Sequence, residues 1–175
     1  RTYECLAVGN FKEDSGTVDA PIGRHRTDRK KMAVVPTGRR AVTHWEVVAR
    51  YPGVTHLRCR LETGRTHQIR VHMAHIGHPI LGDTVYGAKK PVPGLTGQCL
   101  HATGLRFIHP RTHEPVELTC PLPEEFTRML AKLEKKQFKK DVNFQYQKFL
   151  EENPQMQKKA LQKRLQKQRI KREYL

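Results

Sequence analysis

Between Leu61 and Gly87 the chain gathers side chains able to hold an anion: Arg65, His67, Gln68 and Arg70, with His72, His75 and His78 close behind. A guanidinium carries a planar fork of N–H donors, so Arg65 and Arg70 suit carboxylate or phosphate oxygens. His67 and Gln68 can add neutral hydrogen bonds. The crowded histidines also invite a metal reading, since His72 and His75 stand three apart on an expected helix. Zinc takes three or four ligands, and no cysteine or carboxylate joins these rings at ligand spacing. No metal is expected. Helix capping and hydrogen bonding are the plainer uses of these rings.

Such side chains need a rigid mount, and the pattern around them supplies one. Thr55, Leu57, Cys59 and Leu61 alternate with His56, Arg58, Arg60 and Glu62, the period of a half-buried strand. Thr63-Gly64 carries turn chemistry and Thr66 is the expected N-cap. Ile69, Met73 and Ile76 recur at helical spacing, and Gly77 with Pro79 ends the helix. The helix is expected to have one apolar face, with Arg70 on another side near its beginning. The positive end of the helix dipole disfavours a cation there, so an anion should stand beside Arg70.

A second set of cations, Arg24, Arg26, Arg29, Lys30 and Lys31, falls in a loop between two expected strands. Packed in this way they suit phosphate oxygens, which position a nucleic acid without reading its sequence; a solvated charged loop is the plainer alternative. The 175 residues carry a formal charge of +16 and a pI near 10.1. That balance points to a polyanionic partner, nucleic acid first and an anionic membrane surface second. Mean hydropathy is −0.72, no apolar run is long enough to cross a bilayer, and no signal peptide opens the chain. Cys5, Cys59, Cys99 and Cys120 form no Cys-x-x-Cys pair. Free thiols in a reducing compartment follow, with the cytoplasm as the default address.

The remaining elements are scaffold. Arg1–Val8 reads as a strand ended by Gly9-Asn10, and the chain turns at Glu13–Thr17 into Val18–Ile22. Met32–Val35 and Ala41–Ala49 are expected to form a hairpin about Pro36–Arg39, with Trp45 and Val47 sharing one face. Ala88–Gly97 is a Pro/Gly-rich surface loop, Val116–Thr119 a last strand, and Pro121–Glu125 the start of a helix. Composition then shifts: Lys132 to Leu175 holds fourteen Lys/Arg against five Asp/Glu. Phe138, Val142, Phe144, Phe149 and Leu150 offer an irregular apolar face, broken at Asn153-Pro154. Gln155–Leu175, anchored sparsely by Leu161, Leu165 and Tyr174, should be a lone basic helix or become one on binding RNA.

Gly64-Arg-Thr-His-Gln-Ile-Arg-Val-His72, followed by His75-Ile-Gly-His-Pro-Ile-Leu-Gly-Asp83, resembles the third motif of RluA/RluD-type pseudouridine synthases, which modify ribosomal RNA. Arg1–Gly9 is similar to the family's Lys-x-Tyr-x-Ala-Leu-Val-x-Gly segment, with Arg1 for lysine and Cys5 for alanine. Gln98–Ala102 and Leu105–Pro110 resemble a further segment, with Gly97 in place of arginine; Thr84 replaces a proline. The resemblance covers roughly Arg1 to Pro123 and implies an α+β pseudouridine synthase fold: a mixed, largely antiparallel sheet with flanking helices, its N-terminal part missing, plus the basic helical tail.

The resemblance also implies roles. Arg70 would pair with the catalytic aspartate and Tyr3 would stack on the target base, while Arg65, His67, Gln68 and the basic loop would meet RNA. Neither a metal nor an organic cofactor is implied. The implied partner is ribosomal large-subunit RNA, with no membrane and a monomer at full length. His25-Arg26-Thr27-Asp28 imitates the family's catalytic His-Arg-Leu-Asp but comes too late in the chain. The catalytic aspartate is therefore expected upstream of Tyr3 and absent here.

The reading is a C-terminal portion of a catalytic domain (1–131) followed by a basic helical tail (132–175). The implied function is uridine-to-pseudouridine isomerisation, with the isolated chain inactive. A non-catalytic RNA-binding or ribosome-assembly protein is the alternative, and a membrane-surface protein a weaker one. Two further expectations follow. Arg70→Ala should leave folding largely intact while suppressing activity. The strand at residue 1, entering a sheet part-way, should leave an unpaired edge and exposed apolar surface.

Overall fold

The computed structural model describes residues 1–173, so the expected anchor Tyr174 lies outside the described residues. In chain order the elements are β1 (Thr2–Val8), β2 (Ser15–Asp19), β3 (Ile22–Arg24), β4 (Met32–Val34), β5 (Val42–Tyr51), β6 (Val54–Leu61), α1 (Gln68–His75), β7 (Leu100–Ile108), β8 (Pro115–Thr119), α2 (Glu124–Glu152) and α3 (Pro154–Glu173). Six strands form an antiparallel sheet in the order β2-β5-β6-β1-β7-β8, and β3 pairs with β4 separately. The α+β class with a largely antiparallel sheet is as expected. The chain divides into two compact units, Arg1–Glu134 and Lys135–Leu175.

The first strand does not lie at an edge. Tyr3 faces Cys59 of β6 on one side and Ala102 of β7 on the other, so β1 is central and the edges are β2 and β8. The unbroken buried run Cys5-Leu6-Ala7 is the mark of a strand covered on both faces. On one face Cys5, Ala7, Leu57, Cys59 and Trp45 pack against Ile69 and Met73 of α1. On the other, Leu6, Val54 and Cys99 lie beneath Phe126, Met129 and Leu133 of α2. That second layer buries His56, assigned by alternation to a polar face; its ring meets Phe126 and its Nε2 lies 2.7 Å from Glu4 Oε2. Exposed apolar surface occurs on β7 and β8, at Leu105, Phe107, Ile108 and Leu118.

The expected hairpin of Met32–Val35 with Ala41–Ala49 is not formed. β4 pairs with β3, while β5 pairs with β2 and β6. Gly38 explains the exchange. A Cβ there would stand 2.6 Å from the Ile22 carbonyl carbon, so glycine alone lets this turn lie against β3. Arg39 and Ile22 then exchange backbone hydrogen bonds at 2.9 Å. Arg26, Arg29, Lys30 and Lys31 consequently occupy the β3–β4 loop, with Arg24 at the end of β3.

In the second unit the rest of α2 and all of α3 are helical, with Phe138, Phe144, Tyr146, Leu161 and Leu165 exposed. Among the described residues no helix is long and apolar enough to cross a membrane.

Candidate active site

The turn from β6 into α1 is built on Gln68. The Thr63 hydroxyl and the Arg65 N–H both donate to Gln68 Oε1, at 2.8 and 2.9 Å. Its Nε2 donates in turn to the Val42 carbonyl and Thr43 Oγ1. At 2% exposure this amide locks the turn to β5 with four internal hydrogen bonds, and the residue stands in the wall of the cleft expected to meet RNA. Thr66 does not cap the helix. The N-cap is His67, left-handed at φ 55° and without a side-chain cap bond. With Gln68 holding the turn from inside, a hydroxyl cap is unnecessary and the His67 ring is free to face outward.

Helix α1 is covered on more than the one expected face. Ile69 and Met73 enter the main core, Val71 packs with Ile22 and Ala41, and His72 is fully buried. His72 spans Thr43 Oγ1 and the Ala20 carbonyl at 2.9 Å each, and burial lowers its pKa. His78 meets the Val8 carbonyl and stacks on Phe11. The histidines thus diverge to separate partners, and among the described residues no three His, Cys, Asp or Glu side chains converge on a metal position.

The anion that Arg70 requires is Asp83. Arg70 Nε donates to Oδ2 at 2.7 Å and Nη2 to Oδ1 at 3.0 Å, a bidentate pair with side-chain exposures of 11% and 0%. The Val85 and Tyr86 N–H groups also donate to Oδ1. Burial pushes the Asp83 carboxyl up, but these hydrogen bonds and the Arg70 charge outweigh it and hold the pKa below the usual value. Arg70 is raised in turn, chiefly by its hydrogen bond to Asp83. Its guanidinium lies over the Tyr86 ring, 4.9 Å from the centroid.

Tyr3, Arg65, His67 and Arg70 converge on one cleft of about 340 Å³, completed by Arg1, Leu61, Gly64, Gln68, Ile69, Gln98 and Leu100. Tyr3 is half-buried, packing on the core beneath while also lining a neighbouring cleft of about 290 Å³ with Leu105 and Leu118. The aromatic-strand reading and the base-stacking reading of Tyr3 are therefore compatible. Arg24, Arg26 and Arg29 line a separate cleft with His25, and Lys30 and Lys31 follow in the same loop. Arg24 is partly engaged within that loop, donating to the Arg29 carbonyl at 2.9 Å. Lys31 lies 3.7 Å from Asp28. Asp28 also caps the Lys30 N–H, a local turn role unrelated to the Arg70 cleft.

Among the described residues no Asp or Glu side chain lines the Tyr3–Arg70 cleft. What the cleft offers is an aromatic edge, cations and an exposed imidazole, an arrangement suited to a flat, carbonyl-rich, anionic-backbone ligand. The family model described as RNA pseudouridylate synthase matches residues 1–75, and so covers Tyr3, Arg65, His67 and Arg70. The Bacillus subtilis (strain 168) protein named "Uncharacterized RNA pseudouridine synthase YlyB" is 49% identical over 135 residues, 77% of this chain and 44% of that protein.

The chain belongs to the RluA/RluD-type pseudouridine synthase family.

A second relative in this family, the Haemophilus influenzae protein named "Ribosomal large subunit pseudouridine synthase D", is 48% identical over 145 residues, 76% of this chain and 44% of its own length. Two solved structures of pseudouridylate synthases share the fold at 26% identity. "Human RNA Pseudouridylate Synthase Domain Containing 1" aligns with a TM-score of 0.60 over 76% of this chain and 64% of its own. "Human RNA Pseudouridylate Synthase Domain Containing 4" gives 0.59 over 76% and 61%. The chain spans less than half the length of the curated pseudouridine synthases it matches.

Two residues at the site escaped the sequence reading, Asp83 and Tyr86. Both sit at the end of the quoted motif, thirteen and sixteen positions beyond Arg70. The available signal was the need of Arg70 for an anion.

Proposed function

We propose that this chain supplies the base-binding and guanidinium portion of a site that isomerises uridine to pseudouridine in ribosomal large-subunit RNA. The observation carrying this reading is the convergence of Tyr3, Arg65, His67 and Arg70 on one cleft. In the proposed reaction the glycosidic bond to nitrogen 1 breaks, the uracil turns, and carbon 5 joins the ribose, with no atom gained or lost. The target nucleotide leaves its stack to enter, at a cost of a few kcal/mol that stacking on Tyr3 and backbone contacts offset. Phosphate contacts come from Arg65, from Arg24 at the end of β3, and from Arg26, Arg29, Lys30 and Lys31 in the β3–β4 loop. Arg70 uses Nε and Nη2 on Asp83, and its Nη1 edge, without a protein acceptor among the described residues, is what it offers the cleft. In the family that edge would orient the catalytic carboxylate. All four cysteines are free, which suits a reducing cytoplasm.

Pseudouridine mapping of ribosomal RNA tests this. In cells lacking the gene, at least one large-subunit position should remain uridine. It should be restored by the natural gene but not by one carrying Arg70→Lys, which keeps the charge against Asp83 and loses the planar fork. An unchanged pseudouridine map would overturn the reading.

A second reading is favoured by one observation. Among the described residues no carboxylate lines the cleft, and Asp83 is enclosed by four donors; on this reading the 175-residue chain by itself binds RNA without isomerising it. Purified chain incubated with unmodified ribosomal RNA should give no pseudouridine by chemical labelling and primer extension. Product abolished by Asp28→Ala would instead make the His25–Asp28 segment catalytic.

A further inference from the structure

Tyr86 joins two regions that the functional reading treats separately. Its Oη accepts the Met32 N–H at 3.0 Å, at the foot of the basic β3–β4 loop, and lies 2.9 Å from His67 Nδ1 at the cleft. The ring is fixed from both ends. Its own backbone N–H is held on Asp83, and the Arg70 guanidinium lies over its face. A phenol has one hydrogen to give. With a lone pair taken by Met32, the acceptor standing before that hydrogen is His67 Nδ1. An imidazole that accepts at Nδ1 carries its proton on Nε2 and is neutral.

The surroundings of His67 favour the same state. Arg70, the cation beside it, opposes a second positive charge, and Asp83, which would favour one, is already neutralised by Arg70. Partial burial and Arg70 together hold the His67 pKa below the ordinary histidine value. The residue also adopts the left-handed backbone region at φ 55°, a conformation histidine takes more readily than most non-glycine residues. A neutral N–H suits an uncharged carbonyl oxygen, whereas imidazolium would suit a phosphate.

We propose that Tyr86 is a positioning residue that fixes His67 as a neutral Nε2–H donor to a uracil carbonyl in the Tyr3–Arg70 cleft. The inference rests on the reading that the cleft receives a uridine of RNA. It adds a base contact to that reading.

Two measurements on the whole 175-residue chain test it. Long-range proton–nitrogen NMR of the free wild type should find His67 with Nε2 protonated and Nδ1 bare near pH 7.5. Tyr86→Phe keeps the ring under Arg70 and removes the hydroxyl, and should release His67 into a mixture of tautomers. Binding of an unmodified uridine-rich RNA should weaken about three- to tenfold in Tyr86→Phe, the worth of about one net hydrogen bond. The salt dependence should stay unchanged, since no phosphate contact is lost. His67→Asn should cost a similar factor, and the double variant little more, because both remove the same contact. A protonated Nδ1 in the wild type would overturn the proposal. So would a Tyr86→Phe protein with native tautomer and affinity, or losses that multiply in the double variant. Absence of RNA binding by the wild type would instead overturn the functional reading, with the tautomer still deciding the Tyr86 assignment.

Discussion

Arg70 was legible as a residue in need of an anion, because a cation in the first turn of a helix opposes the dipole. Its partner was not, because Asp83 reaches it only through the folded path past Gly77 and Gly82, both at positive φ. The turn-holding role of Gln68 was hidden for a related reason. A polar side chain in a basic motif suggests surface, and only the completed turn shows four internal hydrogen bonds. The clamp alters what Arg70→Ala does. Removing the guanidinium leaves a carboxylate of 0% exposure without its counterion, a change that costs about 3–5 kcal/mol. Urea unfolding should therefore show marked destabilisation, rather than the largely intact folding expected from sequence. Arg65, half-buried and with its side chain bonded to the Arg40 carbonyl, should cost less than about 1 kcal/mol as alanine. Equal stabilities for the two variants would refute the clamp's structural weight.

At the scale of elements, β6, β8 and α1 were readable from their apolar spacing, and β1 from a short apolar run ended by Gly9-Asn10. The β3–β4 pair was not. Three-residue strands carry no period, and Pro36-Thr-Gly38 reads as a hairpin turn until its close approach to Ile22 is known. Gly38→Ala should accordingly destabilise by about 1–3 kcal/mol, the range for forcing extra atoms into a filled space, and should loosen the loop bearing Arg26 and Arg29. The layering of α1 and α2 over the sheet also buries His72 and His56, and burial lowers the pKa of both. Each ring is held neutral in the folded state, so the unfolded chain takes up protons first as pH falls. The stabilisation is complete above about pH 6.5 and is lost below it, towards the folded-state values, at up to about 1.4 kcal/mol per pH unit for each ring. The urea midpoint should fall between pH 7.5 and 5.5. A flat or rising midpoint would contradict the burial of these rings as neutral species.

For the whole molecule, composition foretold a basic helical tail, and α3 is helical to Glu173. The compact break at Glu134 falls a little beyond the composition shift, because Leu133 belongs to the core with Phe126 and Met129. Deleting 135–175 should leave the sheet and its two apolar layers intact by circular dichroism. It should also flatten the salt dependence of RNA affinity, by about 0.7–0.9 in the logarithmic slope for each phosphate contact removed. An unchanged slope would mean that the tail does not touch RNA.

The central claim is that a uridine of RNA enters the cleft of Tyr3, His67 and Arg70. Photocrosslinking of the 175-residue chain to RNA bearing 5-iodouridine, followed by mapping of the crosslinked peptide, tests it most directly. A crosslink at Tyr3, lost in Tyr3→Leu while overall RNA affinity falls only modestly, is the result this account predicts. Crosslinks confined to the β3–β4 loop or to residues beyond Glu134, with Tyr3 untouched, would contradict it.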